Sequence, residues 1–273
     1  MEDKEKNVST REYDEPEGSA EEKSELVPAY ADITKANCGI VSEDLKYYND
    51  YNDLVALIKE SDHVYDMELI DKAYHVALKS HGHQKRSSGI PYIFHPVSVA
   101  YILVQLGMDN ESIAAALLHD VVEDTPVTLD EVRKEFGEEI AELIDGVTKL
   151  GKIPYSSREV QQAENIRKML MAMAKDIRVI IIKLADRLHN MRTIECMKEQ
   201  HRRDKALENM EVYAPIAHRL GIRAIKEEME DLSIRYLDPV GYETIRDLLN
   251  KHGNEFLHQV CQTIYSRYNQ NAS

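Results

Sequence analysis

Residues 110–126 read NESIAAALLHDVVEDTP, and this stretch decides the class of fold that the sequence predicts. Its apolar side chains recur at steps of three and four residues, which is the period of an α-helix. Asn110 is a residue type that often caps a helix N-terminus, so we expect it to be the N-cap. Thr125-Pro126 should end the helix, because the residue before a proline is pushed out of the α region.

The same period on both sides of this stretch extends the helical prediction over most of the chain. Residues 81–96, HGHQKRSSGIPYIFHP, contain two Gly and two Pro and predict a loop, with Pro96 near the start of the next helix. Thr128 and Glu131 have the spacing of a capping box. Further helices are predicted around residues 54–58, 69–77, 97–106, 136–147, 166–173, 205–220, 222–236 and 239–268.

One apolar run is ambiguous. Residues 178–184, RVIIIKL, are rich in β-branched side chains and fit either a strand or a buried helix. Because no Gly or Pro follows before Pro215, we favour a long buried helix that continues to about residue 197. Since no segment shows the alternation of a strand, the predicted fold class is all-α.

Charge and composition restrict the classes of partner. The chain has 273 residues and a net charge of −15, which argues against general affinity for nucleic acid or an anionic membrane. No apolar run approaches the roughly 18 residues of a membrane helix, and the N-terminus lacks the apolar core of a signal peptide. The three cysteines, Cys38, Cys196 and Cys261, have no zinc-ribbon spacing and suggest reduced thiols in a cytoplasm.

Acidic and histidine side chains crowd the end of the 110–126 helix. His119 and Asp120 are followed within one turn by Glu123 and Asp124. Three carboxylates and an imidazole on a turn and a half repel one another unless a cation lies among them. A solvated acidic face is the alternative interpretation.

Two more positions offer ligand atoms of the same kind. Asp186 lies in the most apolar helix and is costly to bury unless it is paired or bound to a metal, although an ion pair with Lys183 or Arg187 would also satisfy it. His95 precedes Pro96 and by itself would be an ordinary surface or capping histidine. Imidazole nitrogen and carboxylate oxygen together suit Mn²⁺, Fe²⁺ or Zn²⁺.

The order of these residues and the text around them resemble a known family. His, then His-Asp, then Asp is the pattern of the HD-domain metal phosphohydrolases. The stretches GIPYIFHPVSVA, LLHDVVEDT and VIIIKLADRLHNMRT resemble the hydrolase half of the Rel/SpoT enzymes, which make and degrade the guanosine alarmones ppGpp and pppGpp. The resemblance covers roughly residues 50–240. It implies an HD-domain helical bundle with a C-terminal helical connector.

The resemblance also implies roles for particular residues. It implies one Mn²⁺ and a reaction that hydrolyses the 3′-pyrophosphate of ppGpp or pppGpp to GDP or GTP and pyrophosphate. The residues implied are His95, His119, Asp120 and Asp186 for the metal, Glu123 and Asp124 for the attacking water, and Arg86, Ser88, Tyr92, Asn190 and Thr193 for the nucleotide. Lys85 belongs to the same basic loop as Arg86 and is a further candidate for contact with phosphate, although the loop could also be merely solvated.

Three segments are expected along the chain. Residues 1–45 hold 13 acidic and five basic residues without apolar period, and they predict a disordered tail. Residues 46–200 are expected to form the metal phosphohydrolase domain. Residues 201–273 resemble the connector that precedes a synthetase domain, whose motifs are absent, so the chain is expected to be a piece of a longer protein.

Three other functions stay open at this point. The same kind of pocket would serve a phosphohydrolase acting on another nucleotide, such as NADPH or a dNTP. A non-catalytic domain that binds an alarmone would keep the fold without needing all six acidic and histidine side chains. A protein-interaction module built on the C-terminal helices would be indifferent to Asp186.

Overall fold

A computed structural model describes residues 47–151 and 175–251, and within these ranges the chain is helical and has no strand. This confirms the predicted all-α class. The helices are α1 (Tyr51–Glu60), α2 (Met67–His81), α3 (Phe94–Gln105), α4 (Asn110–Asp124), α5 (Leu129–Phe136), α6 (Glu138–Gly151), α7 (Ile177–Arg192), α8 (Glu199–Glu208), α9 (Ala214–Arg219) and α10 (Arg223–Leu237). Residues 239–251 are also helical.

Helix α4, which carries the opening stretch, is the centre of the bundle. It packs against α2, α3 and α6, and every residue from Ser112 to Val121 is buried. The N-cap is Asp109, whose side chain accepts a hydrogen bond from the Ser112 amide at 2.9 Å. The prediction of Asn110 as N-cap is therefore wrong by one residue. The Asn110 side chain instead accepts from the Asp66 amide at the start of α2.

Helix α7 resolves the ambiguous β-branched run in favour of a helix. It packs against α3, α6 and α10, so Val179, Ile180 and Ile182 are buried on more than one side of the helix. Asp176 caps its N-terminus by accepting from the Arg178 amide at 2.9 Å. The helix ends at Arg192, earlier than the expected residue 197, and a 3₁₀ turn follows over Ile194–Cys196.

The segment after α4 forms two helices. The capping box of Thr128 and Glu131 is confirmed, and it starts the short helix α5. Gly137 has a φ of +92°, a conformation that other residues rarely adopt, and it separates α5 from α6. Phe136 therefore belongs to α5 and not to the helix that holds Ile140 and Ile144.

A π-helix joins α8 to α9. The Ala214 amide bonds to the Asn209 carbonyl five residues earlier. Pro215 follows directly; it lacks an amide proton and its ring crowds the carbonyl four residues before it, so a widened turn relieves the contact. The predicted helical segments near 205–220 and 222–236 are thus present, the first with this irregular turn.

Some expectations lie outside the described residues, namely the acidic tail, the helix over 166–173 and the end of the segment over 239–268. Cys196 is disulfide-bonded, so the expectation of a reduced thiol is wrong at this position. Among the described residues, no helix is long and apolar enough to cross a bilayer.

Candidate metal centre

Three helices bring the candidate ligands together in the interior. His95 lies on the first turn of α3, His119 and Asp120 on the third turn of the buried helix α4, and Asp186 near the middle of α7. All four are buried, with exposed fractions between 2% and 9%. A buried imidazole or carboxylate is costly unless it is hydrogen-bonded, paired with an opposite charge or bound to a metal.

The ligand atoms of His95, His119 and Asp120 lie within 4.8 Å of one another. The Nε2 of His95 is 3.5 Å from Asp120 Oδ2, and the Nε2 of His119 is 3.1 Å from Asp120 Oδ1. Asp186 adjoins this group through His95, whose Nε2 lies 3.3 Å from Asp186 Oδ1. Three of the four expected ligands thus converge, and the fourth lies beside them.

The Asp186 carboxylate also contacts two other side chains. Lys183, one turn earlier on α7, places its Nζ 2.8 Å from Asp186 Oδ2, and Asn190 donates to Oδ1 at 2.5 Å. Burial by itself would raise the pKa of this carboxyl, but opposing interactions, of which the charge of Lys183 is the largest, hold the pKa well below its usual range. Asp186 is therefore an ionised carboxylate, ready to serve a cation.

His119 turns its Nε2 toward the site. Its Nδ1 is 2.7 Å from the Ala116 carbonyl oxygen, which can only accept, so Nδ1 carries the proton. The Nε2 is buried and has no hydrogen-bond partner among the residues that the structure describes. A buried imidazole that donates one ring N–H to a backbone carbonyl and turns its other nitrogen toward a carboxylate is the arrangement expected of a metal ligand, so the donor set fits a divalent ion.

The acidic pair lies at the exposed end of α4. Glu123 and Asp124 are both exposed. The Tyr92 hydroxyl lies 2.9 Å from both Asp120 Oδ2 and Asp124 Oδ2, so one proton is shared between a buried and an exposed carboxylate. Tyr92 thus links the candidate ligands to the acidic pair, in addition to any contact with a nucleotide.

The ring of Tyr92 is held in turn by His81, a residue that the sequence analysis did not select. The two rings stack with centroids 4.6 Å apart, and the His81 Nδ1 lies 2.8 Å from the Gln84 side-chain oxygen. His81 ends α2, and its buried position has no signature in sequence beyond the helical period.

The basic loop folds back onto α7. Arg86 approaches three side chains on one face of that helix: Nη1 lies 3.4 Å from both His189 Nδ1 and Thr193 Oγ1, and Nη2 donates to the Asn190 side-chain oxygen. The face of α7 that was expected to line the nucleotide pocket therefore also binds the Arg86 side chain.

The other two loop residues differ in exposure. Ser88 is buried, and its Oγ accepts a hydrogen bond from the Ile90 amide at 3.4 Å. Lys85 is exposed and pairs with Pro91 through its backbone. Lys85 is thus free to turn toward a ligand in solution, whereas Ser88 is part of the loop's own packing.

His189 is the main residue that the sequence analysis did not assign to the site. It is fully buried, its Nδ1 lies 2.7 Å from His95 Nδ1, and the Tyr48 ring packs edge-on against it. Burial, reinforced by the nearby His95 and Arg86, lowers the pKa of His189 well below its usual range, so the ring is neutral. In the sequence, the feature that could have indicated a role for His189 is its position three residues after Asp186.

Comparison with known proteins agrees with this geometry. The HD-domain family model matches residues 73–223. The chain is 51% identical over 184 residues to guanosine-3′,5′-bis(diphosphate) 3′-pyrophosphohydrolase of Aquifex aeolicus, a match that covers 67% of this chain and 26% of that protein.

Two further relatives carry different names. The chain is 49% identical over 199 residues to the bifunctional (p)ppGpp synthase/hydrolase SpoT of Escherichia coli, covering 72% of this chain and 28% of SpoT. It is also 49% identical over 208 residues to the GTP pyrophosphokinase of Myxococcus xanthus, covering 74% of this chain and 28% of that protein. The chain therefore spans between 26% and 28% of the length of these relatives. It belongs to the HD-domain family, and its HD region is that of the Rel/SpoT enzymes.

Proposed function

We propose that the chain hydrolyses the 3′-pyrophosphate of ppGpp and pppGpp and releases pyrophosphate with GDP or GTP. The observation that carries this proposal is the buried group of His95, His119 and Asp120, in which the Nε2 of His119 has no hydrogen-bond partner among the described residues and lies beside the Asp120 carboxylate. The names of the relatives supply the substrate class. Because the chain spans only part of those relatives, the activity is tested on this chain itself.

The metal would be held by His95, His119, Asp120 and Asp186, and we propose Mn²⁺ because two carboxylates and two imidazoles suit it. Such an ion supplies a lowered pKa for bound water and neutralises charge on the phosphoryl group. With a net charge of −15, the chain needs this ion and the basic loop to accept a polyanion, and it is not suited to bind nucleic acid or a membrane surface. We propose a cytoplasmic location, because the proposed substrate is a guanosine nucleotide.

Glu123 and Asp124 would handle the proton of the attacking water. They are exposed at the end of α4, one turn beyond Asp120, so they can face a substrate phosphate from outside the buried ligands. Glu123 would accept one proton as the water oxygen forms its bond to phosphorus and the bond to the ribose 3′ oxygen breaks. The freed 3′ oxygen would take up a proton from solvent and leave as a hydroxyl. Asp124 would be oriented by the Tyr92 hydroxyl.

The nucleotide would lie against the basic loop. The edges of the Arg86 guanidinium face α7, which leaves its planar faces available to stack on a base. Asn190 and Thr193 lie on the α7 face beside it, while Ser88 shapes the loop and Lys85 meets the phosphates from solvent.

The first experiment measures Mn²⁺ binding and pyrophosphate release from ppGpp on the same samples. Asp120→Ala and Asp186→Ala should lose both. Glu123→Gln should keep the metal and lose at least about 100-fold in turnover, the lower end for a general base. Glu142→Gln, an exposed glutamate on α6, is the matched control and should keep both. Near-normal turnover by Glu123→Gln would remove that residue from the mechanism.

The second experiment separates the alternatives. ppGpp, pppGpp, NADPH and dNTPs are offered at equal concentration with Mn²⁺. The proposal expects pyrophosphate from the two alarmones and little turnover of the others. Faster turnover of NADPH or a dNTP would reassign the substrate, and ppGpp binding without any release would make the chain a non-catalytic alarmone-binding domain.

A further inference from the structure

The His189 side chain contacts both the candidate metal ligand His95 and the backbone carbonyl of Tyr47. It lies on α7 and is fully buried. Its Nδ1 is 2.7 Å from the Nδ1 of His95, and its Nε2 is 3.1 Å from the Tyr47 carbonyl oxygen. Both of its ring nitrogens are thus engaged, on opposite sides of the ring.

These two contacts determine where the protons lie. A carbonyl oxygen can only accept, so the Nε2 of His189 carries a proton and donates it to Tyr47. The Nδ1 of a neutral His189 is then an acceptor. The short contact between the two Nδ1 atoms is therefore a hydrogen bond in which His95 donates. A neutral His95 is left with a lone pair on Nε2, the atom that lies 3.3 Å from Asp186 and 3.5 Å from Asp120. A lone pair that faces two carboxylates is stable only with a cation among them, which is the place of the proposed metal.

The other proton arrangements are disfavoured. With the opposite tautomer of His189, the lone pair on Nε2 would face the lone pairs of the Tyr47 oxygen at 3.1 Å, and its Nδ1 proton would face the Arg86 guanidinium at 3.4 Å. A doubly protonated His189 would be a fully buried cation beside Arg86, without a carboxylate in contact among the described residues.

We propose that His189 is a positioning residue that holds His95 in the tautomer with the proton on Nδ1, so that its Nε2 faces the metal. His119 reaches the same state by donating from Nδ1 to the Ala116 carbonyl. His95 and His119 thus both turn their Nε2 atoms toward the site. The ring of His119 is oriented by a backbone carbonyl, and the ring of His95 is oriented by His189. Because Arg86 Nη1 approaches the same Nδ1 of His189, this residue also joins the basic loop to the ligand group. The inference rests on the proposed metal centre.

The first test reads the tautomer directly. Nitrogen chemical shifts of ¹⁵N-histidine in the unaltered, metal-free chain are assigned by comparison with His95→Gln. We expect His95 to carry a proton on Nδ1. A His95 with its proton on Nε2 and none on Nδ1 would overturn the inference. This measurement needs no His189 variant, so it decides the question even if a substitution prevents folding.

The second test compares two substitutions by Mn²⁺ affinity, measured by calorimetry or electron paramagnetic resonance. His189→Phe keeps a ring of similar size but offers no acceptor, and it should weaken Mn²⁺ binding by about 10–100-fold, as loss of an outer partner of a ligand does. His189→Asn places a side-chain oxygen near the position of Nδ1 and should stay within a few-fold of the unaltered chain. His75→Asn, on the exposed side of α2, is the surface control.

The outcomes separate this inference from the proposed function. Equal Mn²⁺ affinity in a folded His189→Phe protein would overturn the inference. Equal losses in His189→Phe and His189→Asn would also overturn it, because they would indicate a packing role. Absence of Mn²⁺ binding by the unaltered chain would instead overturn the proposed metal centre, whatever tautomer His95 shows.

Discussion

Lys183 is the residue whose placement most affects the candidate site without being a ligand. Its Nζ lies 2.8 Å from Asp186 Oδ2, and both side chains are buried. A buried carboxylate without a cation is costly, so the lysine stabilises Asp186 when no metal is bound. The same contact competes with a metal for that carboxylate. The ion pair between these residues, which the sequence left as an alternative to a metal, is present, and it leaves Oδ1 directed toward His95.

We expect Lys183→Met to destabilise the metal-free chain by about 3–5 kcal/mol, because it leaves Asp186 ionised and without its nearest cation. Mn²⁺ should then stabilise the variant more than it stabilises the unaltered chain, since the ion would replace the missing charge. Urea unfolding with and without Mn²⁺ measures both effects. Equal Mn²⁺ stabilisation of the two proteins would contradict the idea that Lys183 and the metal compete for Asp186.

At the scale of elements, one arginine joins the N-termini of the two helices that carry His119, Asp120 and Asp186. Arg178 lies 2.7 Å from Asp109, the N-cap of α4, and 2.6 Å from Asp176, the N-cap of α7, and it also reaches Glu139 on α6 at 2.8 Å. Each aspartate therefore caps its own helix and binds the same guanidinium. This cluster holds together the start of the two helices that carry His119, Asp120 and Asp186.

The cluster gives stability that depends on pH. The hydrogen bond from Arg178 lowers the pKa of Asp176; for Asp109, burial opposes but the bonds from Ser112 and Arg178 prevail, so its pKa is also lowered. A lowered carboxyl pKa gives stability that is present above the ordinary value of about 4 and is lost as the pH falls through the lowered value.

Arg178→Gln should therefore lower the free energy of unfolding by about 1 kcal/mol at pH 7, a modest figure because the groups are partly exposed and solvent screens them. The difference in unfolding free energy between Arg178→Gln and the unaltered chain should become smaller as the pH falls below about 4. Urea unfolding of both proteins at pH 7 and at pH 3 measures it. A difference that grows toward low pH would show that the arginine acts by packing and not by its charge.

Helices α6 and α7 approach closely at Gly146. A Cβ added there would lie 2.8 Å from Val179 Cγ2 and 3.0 Å from Cγ1. Gly146→Ala should destabilise the chain by about 1–3 kcal/mol through this overpacking, despite the better helix propensity of alanine. In the double variant with Val179→Ala the added cost of the Gly146 change should largely vanish. Additive effects in this double-mutant cycle, measured by thermal and urea unfolding, would contradict the close approach.

At the scale of the whole molecule, the candidate ligands come from helices far apart in the sequence. His95, His119 and Asp186 can meet only after α3, α4 and α7 have packed. A metal that binds them binds the folded state and not the unfolded chain, and it must raise the unfolding temperature by mass action.

At a Mn²⁺ concentration of 100 times Kd, the expected stabilisation is about 2.7 kcal/mol, which corresponds to a rise of roughly 5–10 °C in Tm for a chain of this size. A chelator should reverse the rise. His119→Ala should show no rise, because it removes the nitrogen whose lone pair faces the site. A rise of equal size in His119→Ala would place the bound Mn²⁺ elsewhere on the molecule.

Much of the fold follows from local pattern. The apolar periods predicted α1, α2, α3, α4 and α10 well, because a helix that buries one face shows its period in sequence. The separation of α5 from α6 was not predicted, since the period continues across Gly137. The π-helix before Pro215 was not predicted either, because its widened turn depends on how the chain packs around the proline.

The sequence by itself determined the helical class, the order of the ligand-type residues and the family, because helical period and long motifs are local properties of the chain. Only the tertiary structure decided that Asp186 is paired with Lys183, that Tyr92 joins Asp120 to Asp124, and that His189 stands behind His95. Those contacts join residues up to 94 positions apart. Their directions depend on how α3, α4 and α7 pack and on which nitrogen of each buried imidazole finds an acceptor, and no spacing along the chain encodes either.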